Sequence, residues 1–78
     1  MNKKLYEKLE YIDKKADKTS ADLEFLIKNS ENYDSEIRDY IAELLVYFDG
    51  ERAQNTLLNL CGDADELVRT NACDSLSV

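Results

Sequence analysis

The stretch Asp34-Ser35-Glu36-Ile37-Arg38 recurs 31 residues later as Asp65-Glu66-Leu67-Val68-Arg69, without a gap. The same offset lays Leu26 over Leu57, Ile27 over Leu58, Asn32 over Asp63, Ala42 over Cys73 and Leu45 over Leu76. A period in this range, with helical spacing inside each copy, marks a chain that stacks small helical units side by side.

Working outward, each copy opens with an aspartate that can accept hydrogen bonds from the unpaired amides of a helix and face its positive end. Asp34 is therefore expected to start a third helix with Ile37, Ile41, Leu44, Leu45 and Phe48 on its buried face. Asp65 starts a fifth with Val68, Ala72, Cys73 and Leu76. Between them, Asp49-Gly50 reads as a tight connection into a fourth helix from about Glu51, burying Ala53, Leu57, Leu58, Leu60 and Cys61. Gly62 stands where a left-handed helix end is expected. Upstream, Leu5, Leu9, Ile12 and Ala16 share the stripe of a first helix of about four turns, and Thr19 or Ser20 caps a second with Leu23, Leu26 and Ile27 inside. The expected fold class is all-α, a short right-handed α-α superhelix of about five helices without strands. Residues 1–78 form one domain, with 1–33 as a capping repeat, 34–64 as a full repeat and 65–78 as the first helix of a truncated one. Apolar surface on that last helix is expected to be exposed.

Seventy-eight residues leave room for one shared core. No apolar run reaches the roughly 20 residues of a membrane crossing, and the lysine-rich start lacks a signal-like apolar stretch, so the expected location is cytoplasmic. The net charge of −7 is uneven. Residues 1–18 hold six lysines against four acids, whereas residues 19–78 hold four basic side chains against thirteen acids, a balance of −9. Such a surface repels phosphate backbones and attracts basic patches, so nucleic acid is not an expected partner and neither is a membrane. Histidine is absent, which removes the commonest general base and metal ligand. Asp63-Ala64-Asp65-Glu66 lacks the spaced oxygens and central glycine of a calcium loop, and Gly50 and Gly62 stand too far apart to cradle a phosphate. Cys61 and Cys73, the two cysteines, fall at positions for buried small residues and read as reduced core thiols rather than a disulfide or redox pair. The five tyrosines (Tyr6, Tyr11, Tyr33, Tyr40, Tyr47) read as helix-packing residues with wet hydroxyls.

The patterns Asp34-x-Glu36-Ile37-Arg38-x-x-x-Ala42-x-x-Leu45, Ala53-x-x-x-Leu57-Leu58-x-Leu60 and Asp63-x-Asp65-Glu66-x-Val68-Arg69-x-x-Ala72-x-x-Leu76 resemble HEAT repeats. They are most similar to the short, armadillo-like HEAT repeats of phycobilisome lyases. The family usually has alanine where Ile41 stands and glycine where Val46 stands, and residues 1–21 lack the acid-arginine signature, as a capping helix would. The resemblance implies that first helices line a convex face and second helices a concave one that commonly binds proteins. Carried over, the second and fourth helices present Glu24, Phe25, Lys28, Asn55, Thr56 and Asn59 as candidate partner-binding positions. Arg38 and Arg69, one period apart, are expected to bond to neighbouring caps as a stacking ladder rather than to form an anion site.

The expected function is a non-catalytic protein-interaction scaffold, with no cofactor or metal, possessing the pattern of a piece of a longer solenoid. The alternative is a small acidic inhibitor or immunity-type protein that blocks the basic groove of an enzyme. A homo-oligomer through the fifth helix is a further expected arrangement.

Overall fold

A side chain stands ready at the start of almost every helix to take up unpaired amides. The computed structural model describes residues 2–76; residues 1, 77 and 78, the ends of the expected domain, lie outside them. In α1 (Lys3–Lys14), Asn2 Oδ1 accepts the Leu5 N–H at 3.2 Å. In α2 (Ser20–Asn29), Thr19 and Asp22 form a reciprocal capping box, with the Asp22 N–H on Thr19 Oγ1 at 3.2 Å and the Thr19 N–H on Asp22 Oδ2 at 2.9 Å. Asp34 caps α3 (Ser35–Leu45), and Asp65 caps α5 (Glu66–Leu76). Only α4 (Glu51–Leu60) starts without a side-chain cap, on Gly50 at φ 106°, a backbone region that favours glycine. The fold is all-α, with these five helices and no strand among the described residues.

The 31-residue period reaches further than residue identity suggested. α2 and α4 begin 31 residues apart, as do α3 and α5, and α1 begins 32 residues before α3. α1 packs on α3 and α3 on α5, while α2 packs on α4, so the first helices form one row and the second helices another. α3 touches all four of its neighbours and supplies five of the buried residues: Ile37, Ile41, Ala42, Leu44 and Leu45. Around it close Leu9, Ile12, Leu26, Ala53, Leu57, Leu60, Val68 and Ala72.

Several hydrogen bonds correspond in pairs at the same 31-residue offset. The Asp34 N–H bonds Asn32 Oδ1 at 2.9 Å and the Asp65 N–H bonds Asp63 Oδ1 at 2.8 Å. Asp34 Oδ1 accepts the Glu36 N–H at 2.9 Å, and Asp65 Oδ1 the Leu67 N–H at 2.9 Å. Arg38 Nη1 donates to the Asn32 carbonyl at 2.8 Å, and Arg69 Nη1 to the Asp63 carbonyl at 2.8 Å. The equivalent positions Tyr40 and Asn71 both reach back to the preceding first helix, Tyr40 Oη to Asp13 Oδ2 at 2.8 Å and Asn71 Nδ2 to Asp39 Oδ1 at 2.9 Å.

Several expectations are corrected. α1 stops at Lys14 after three turns and leaves Ala16 exposed, because the Lys15 N–H turns back to the Ile12 carbonyl and Lys18 Nζ donates to the Lys15 carbonyl at 2.8 Å. The left-handed glycine is Gly50, before α4, and not Gly62. Leu58 is 58% exposed, and Cys73 is exposed rather than a core thiol. Tyr6 and Tyr40 do pack, with ring centroids 5.3 Å apart, but Tyr11, Tyr33 and Tyr47 lie largely in solvent. Leu67, on α5, is 72% exposed, as expected of that helix.

Two carboxylates are held ionised by contacts made in the fold. Burial alone would raise the Asp22 carboxyl, but Lys15 Nζ at 2.7 Å and the Thr19 N–H outweigh it and hold Asp22 below its ordinary value of 3.8. Asp63 is held below the same value of 3.8 chiefly by its hydrogen bonds from Arg38, against the opposing effect of burial. Groups depressed on folding stabilise the fold above their unfolded pKa and lose that contribution as pH falls through the folded one. Thermal midpoints are therefore expected to be level from about pH 7 to 5 and to fall steeply below about pH 4. An Asp63→Asn variant should be less stable at neutral pH and show a shallower acid limb.

Candidate functional site

Of the six positions expected to face a partner, the structure leaves four in solvent. Glu24 and Lys28 on α2, with Asn55 and Asn59 on α4, are exposed. Thr56 is corrected: it is 7% exposed, and its Oγ1 donates to the Arg52 carbonyl at 2.9 Å. A hydroxyl that satisfies itself on its own helix can be buried at little cost. Phe25 is half-buried against the core with Lys8 Nζ 5.5 Å from its ring centroid, so it is a packing residue rather than a protruding anchor.

Glu24 pairs with Arg52, which ties α2 to α4 across their shared solvent-facing side. Both side chains are more than half exposed, 55% and 60%, so the pair contributes little stability; its effect is to neutralise that stretch of surface. Arg52 was not among the expected surface residues. Its signal was available, since Glu24 aligns with Asn55 at the repeat offset and Arg52 stands one turn before Asn55 on the neighbouring helix.

At one end of this face, where the α2–α3 and α4–α5 turns meet, lies a cleft of about 330 Å³. Asn59 and Tyr33 line it, and Tyr33 is 87% exposed. Its floor is the pair Arg38–Asp63, bonded through Nε at 2.8 Å and Nη2 at 3.0 Å. With Nη1 on the Asn32 carbonyl, the guanidinium is engaged along both edges and is not presented to an incoming anion. Arg38 thus bonds to a neighbouring turn as expected of a ladder, although its partner is Asp63, two residues ahead of the cap Asp65. Among the described residues, Arg69 bonds the Asp63 and Ala64 carbonyls of the turn that leads into its own helix and reaches no neighbouring cap.

A second concavity, of about 400 Å³, lies between α1 and α3 on the opposite row. Asp13, Glu36, Asp39 and Glu43 surround the paired rings of Tyr6 and Tyr40 there. Burial, reinforced by its hydrogen bond to Asp13, raises the Tyr40 phenol well above the ordinary 10.0, so it stays a donor. This surface is chemically suited to guanidinium or ammonium groups. Among the described residues no group of three or more acid, cysteine or histidine side chains is arranged to hold a metal ion, and no helix is long and apolar enough to cross a membrane. No protein-family model, curated protein or solved structure matches the chain.

Proposed function

We propose that this chain is a non-catalytic, HEAT-like helical-repeat module, a right-handed α-α superhelix that binds a partner protein. The observation that carries this reading is the duplication, at a fixed 31-residue offset, of the Asp34/Asp65 caps and the Arg38/Arg69 bonds, which assigns the most chemically conspicuous side chains to construction. What remains for recognition is the solvent-facing side of α2 and α4, which carries Lys28, Asn55, Asn59 and the neutralised Glu24–Arg52 pair and leads through Asn59 to Tyr33. A polar face with one exposed aromatic at its edge suits a protein surface better than a phosphate backbone. The location in this reading is the cytoplasm.

A second reading is supported by the acidic concavity on α1 and α3: a small inhibitor or immunity-type protein whose carboxylates occupy a basic groove. A photo-crosslinking residue placed at Asn59 in one variant and at Glu43 in another separates the two. The scaffold reading expects specific crosslinks from position 59 and an affinity that changes only a few-fold between about 50 and 300 mM salt. Crosslinks from position 43 alone, with affinity falling by orders of magnitude over that range, would replace it by the inhibitor reading.

A further inference from the structure

Three of the six large apolar side chains that stand exposed among the described residues lie along one groove, between α3 and α5. Leu67 stands in the first turn of α5, while Val46 and Tyr47 follow directly on the end of α3. Two hollows of about 290 and 360 Å³ lead from one to the other and meet at Glu43 and Asn71. The Asn71 side chain donates to Asp39 Oδ1 at 2.9 Å, which holds the middle of the groove to both helices. Apolar side chains gathered along one helix face, unlike those scattered singly, mark a contact surface.

The polar lining says what such a surface would take. Asp39, Glu43 and Asp74 line the hollow beside Leu67, and no lysine or arginine is among the described residues that line either hollow. At the far edge, the ring of Tyr47 already holds an ammonium of the chain itself, Lys18 Nζ at 4.5 Å from the ring centroid. A cation is therefore welcome on this face. A second copy of the chain fits less well, because two molecules of net charge −7 repel each other. Leu67 corresponds to Glu36 at the 31-residue offset, ten positions before Val46, so the apolar ends of the groove are about 15 Å apart.

We propose that the α3–α5 groove docks a basic amphipathic helix of a partner protein. Two apolar side chains of that helix, about eleven residues or three turns apart, would seat on Leu67 and on Val46 with Tyr47. Its lysines or arginines would face Asp39, Glu43 and Asp74 between them. The groove lies on the other row of helices from the side that the scaffold reading uses, so the two stand or fall separately. It also differs from the inhibitor reading, since binding here needs an apolar contact as well as charge.

The test titrates the full chain into a fluorescein-labelled synthetic helix of about 15 residues, with leucines on one stripe and lysines elsewhere, at about 150 mM salt. Two comparison peptides each keep half of that chemistry: one has serine in place of leucine, the other glutamate in place of lysine. By fluorescence anisotropy, the lysine–leucine peptide is expected to bind at least about tenfold more tightly than either. Leu67→Ser and Glu43→Lys should each weaken it about fivefold or more. Asp17→Lys, the same charge change at an exposed residue that lines neither hollow, should alter it less than about twofold. Absence of saturable binding overturns the proposal, as does equal binding of the lysine–serine peptide or an equal loss in Asp17→Lys and Glu43→Lys. A wild-type chain that sediments as a dimer and becomes monomeric on Glu43→Lys would seat a second copy in the groove and overturn it as well. The three peptides are compared on the wild-type chain, so a decision does not depend on any variant folding.

Discussion

Replacing Ile41 by alanine is expected to cost about 3–4 kcal/mol, most of what holds a domain of this size together. Ile41 is fully buried at the middle of α3, the helix that packs against all four others. The loss combines the transfer free energy of the deleted carbons with a cavity that cannot collapse easily, because its walls belong to different helices. In the proposed HEAT-like reading the family usually has alanine where Ile41 stands, which makes the prediction a sharp one. If the surrounding helices kept the close spacing of an alanine at this place, isoleucine would be overpacked and Ile41→Ala would be neutral or stabilising. With the side chain enclosed by this core, the substitution should lower the urea midpoint strongly, and Ile41→Val should cost only about 1 kcal/mol. Leu58→Ala, at a residue 58% exposed, is the control and should stay within about 0.5 kcal/mol of wild type. A small effect at Ile41 would count against the central place of α3 in the core.

The parts of this fold that were legible in the sequence are those fixed by local spacing. Asp34 and Asp65 cap because a carboxylate one residue before a helix has little else within reach but that helix's amides, and the structure shows those bonds. Helical periodicity likewise placed Ile37, Ile41, Leu44 and Leu45 inside. Periodicity gives the direction of a buried stripe but not its width. α4 touches α2, α3 and α5, and the face it buries against them includes Thr56 and leaves Leu58 outside. The exposure of Glu24, Lys28, Asn55 and Asn59 was legible, since it follows from rotation about the helix axis. It was missed at Phe25, which turns toward Lys8 on α1, and at Arg52, whose place on the surface is set by its pairing with Glu24 on α2. Tyr33 was hidden because its exposure is a property of a turn, which helical spacing does not address. The same holds for Gly50: which of two glycines turns left-handed is decided by how the chain enters α4, and by nothing within its own helical pattern.

Arg38→Ala should lower stability by about 3 kcal/mol or more, while Arg69→Ala should cost only about 1 kcal/mol, although the two arginines correspond at the 31-residue offset. The difference lies in what each holds. Arg69 donates to two carbonyls of its own turn, bonds that water can replace. Arg38 holds the Asn32 carbonyl behind it and the Asp63 carboxylate 25 positions ahead, joining the α2–α3 turn to the α4–α5 turn. Its side chain and that of Asp63 are 16% and 10% exposed, so truncating one leaves the other charged, desolvated and without its main partner. Asp63 also accepts the Asp65 N–H at 2.8 Å, so losing its anchor loosens the entry to α5 as well. If stranded charge rather than lost attraction is the origin of the cost, removing both partners together should cost less than removing either. Arg38→Met combined with Asp63→Leu is accordingly expected to recover part of the stability lost in Arg38→Ala, as judged by denaturant midpoints at neutral pH. An Arg38→Ala chain as stable as Arg69→Ala would mean that the two turns are held together by packing alone, and the arginine could then be reconsidered as a residue kept for a ligand.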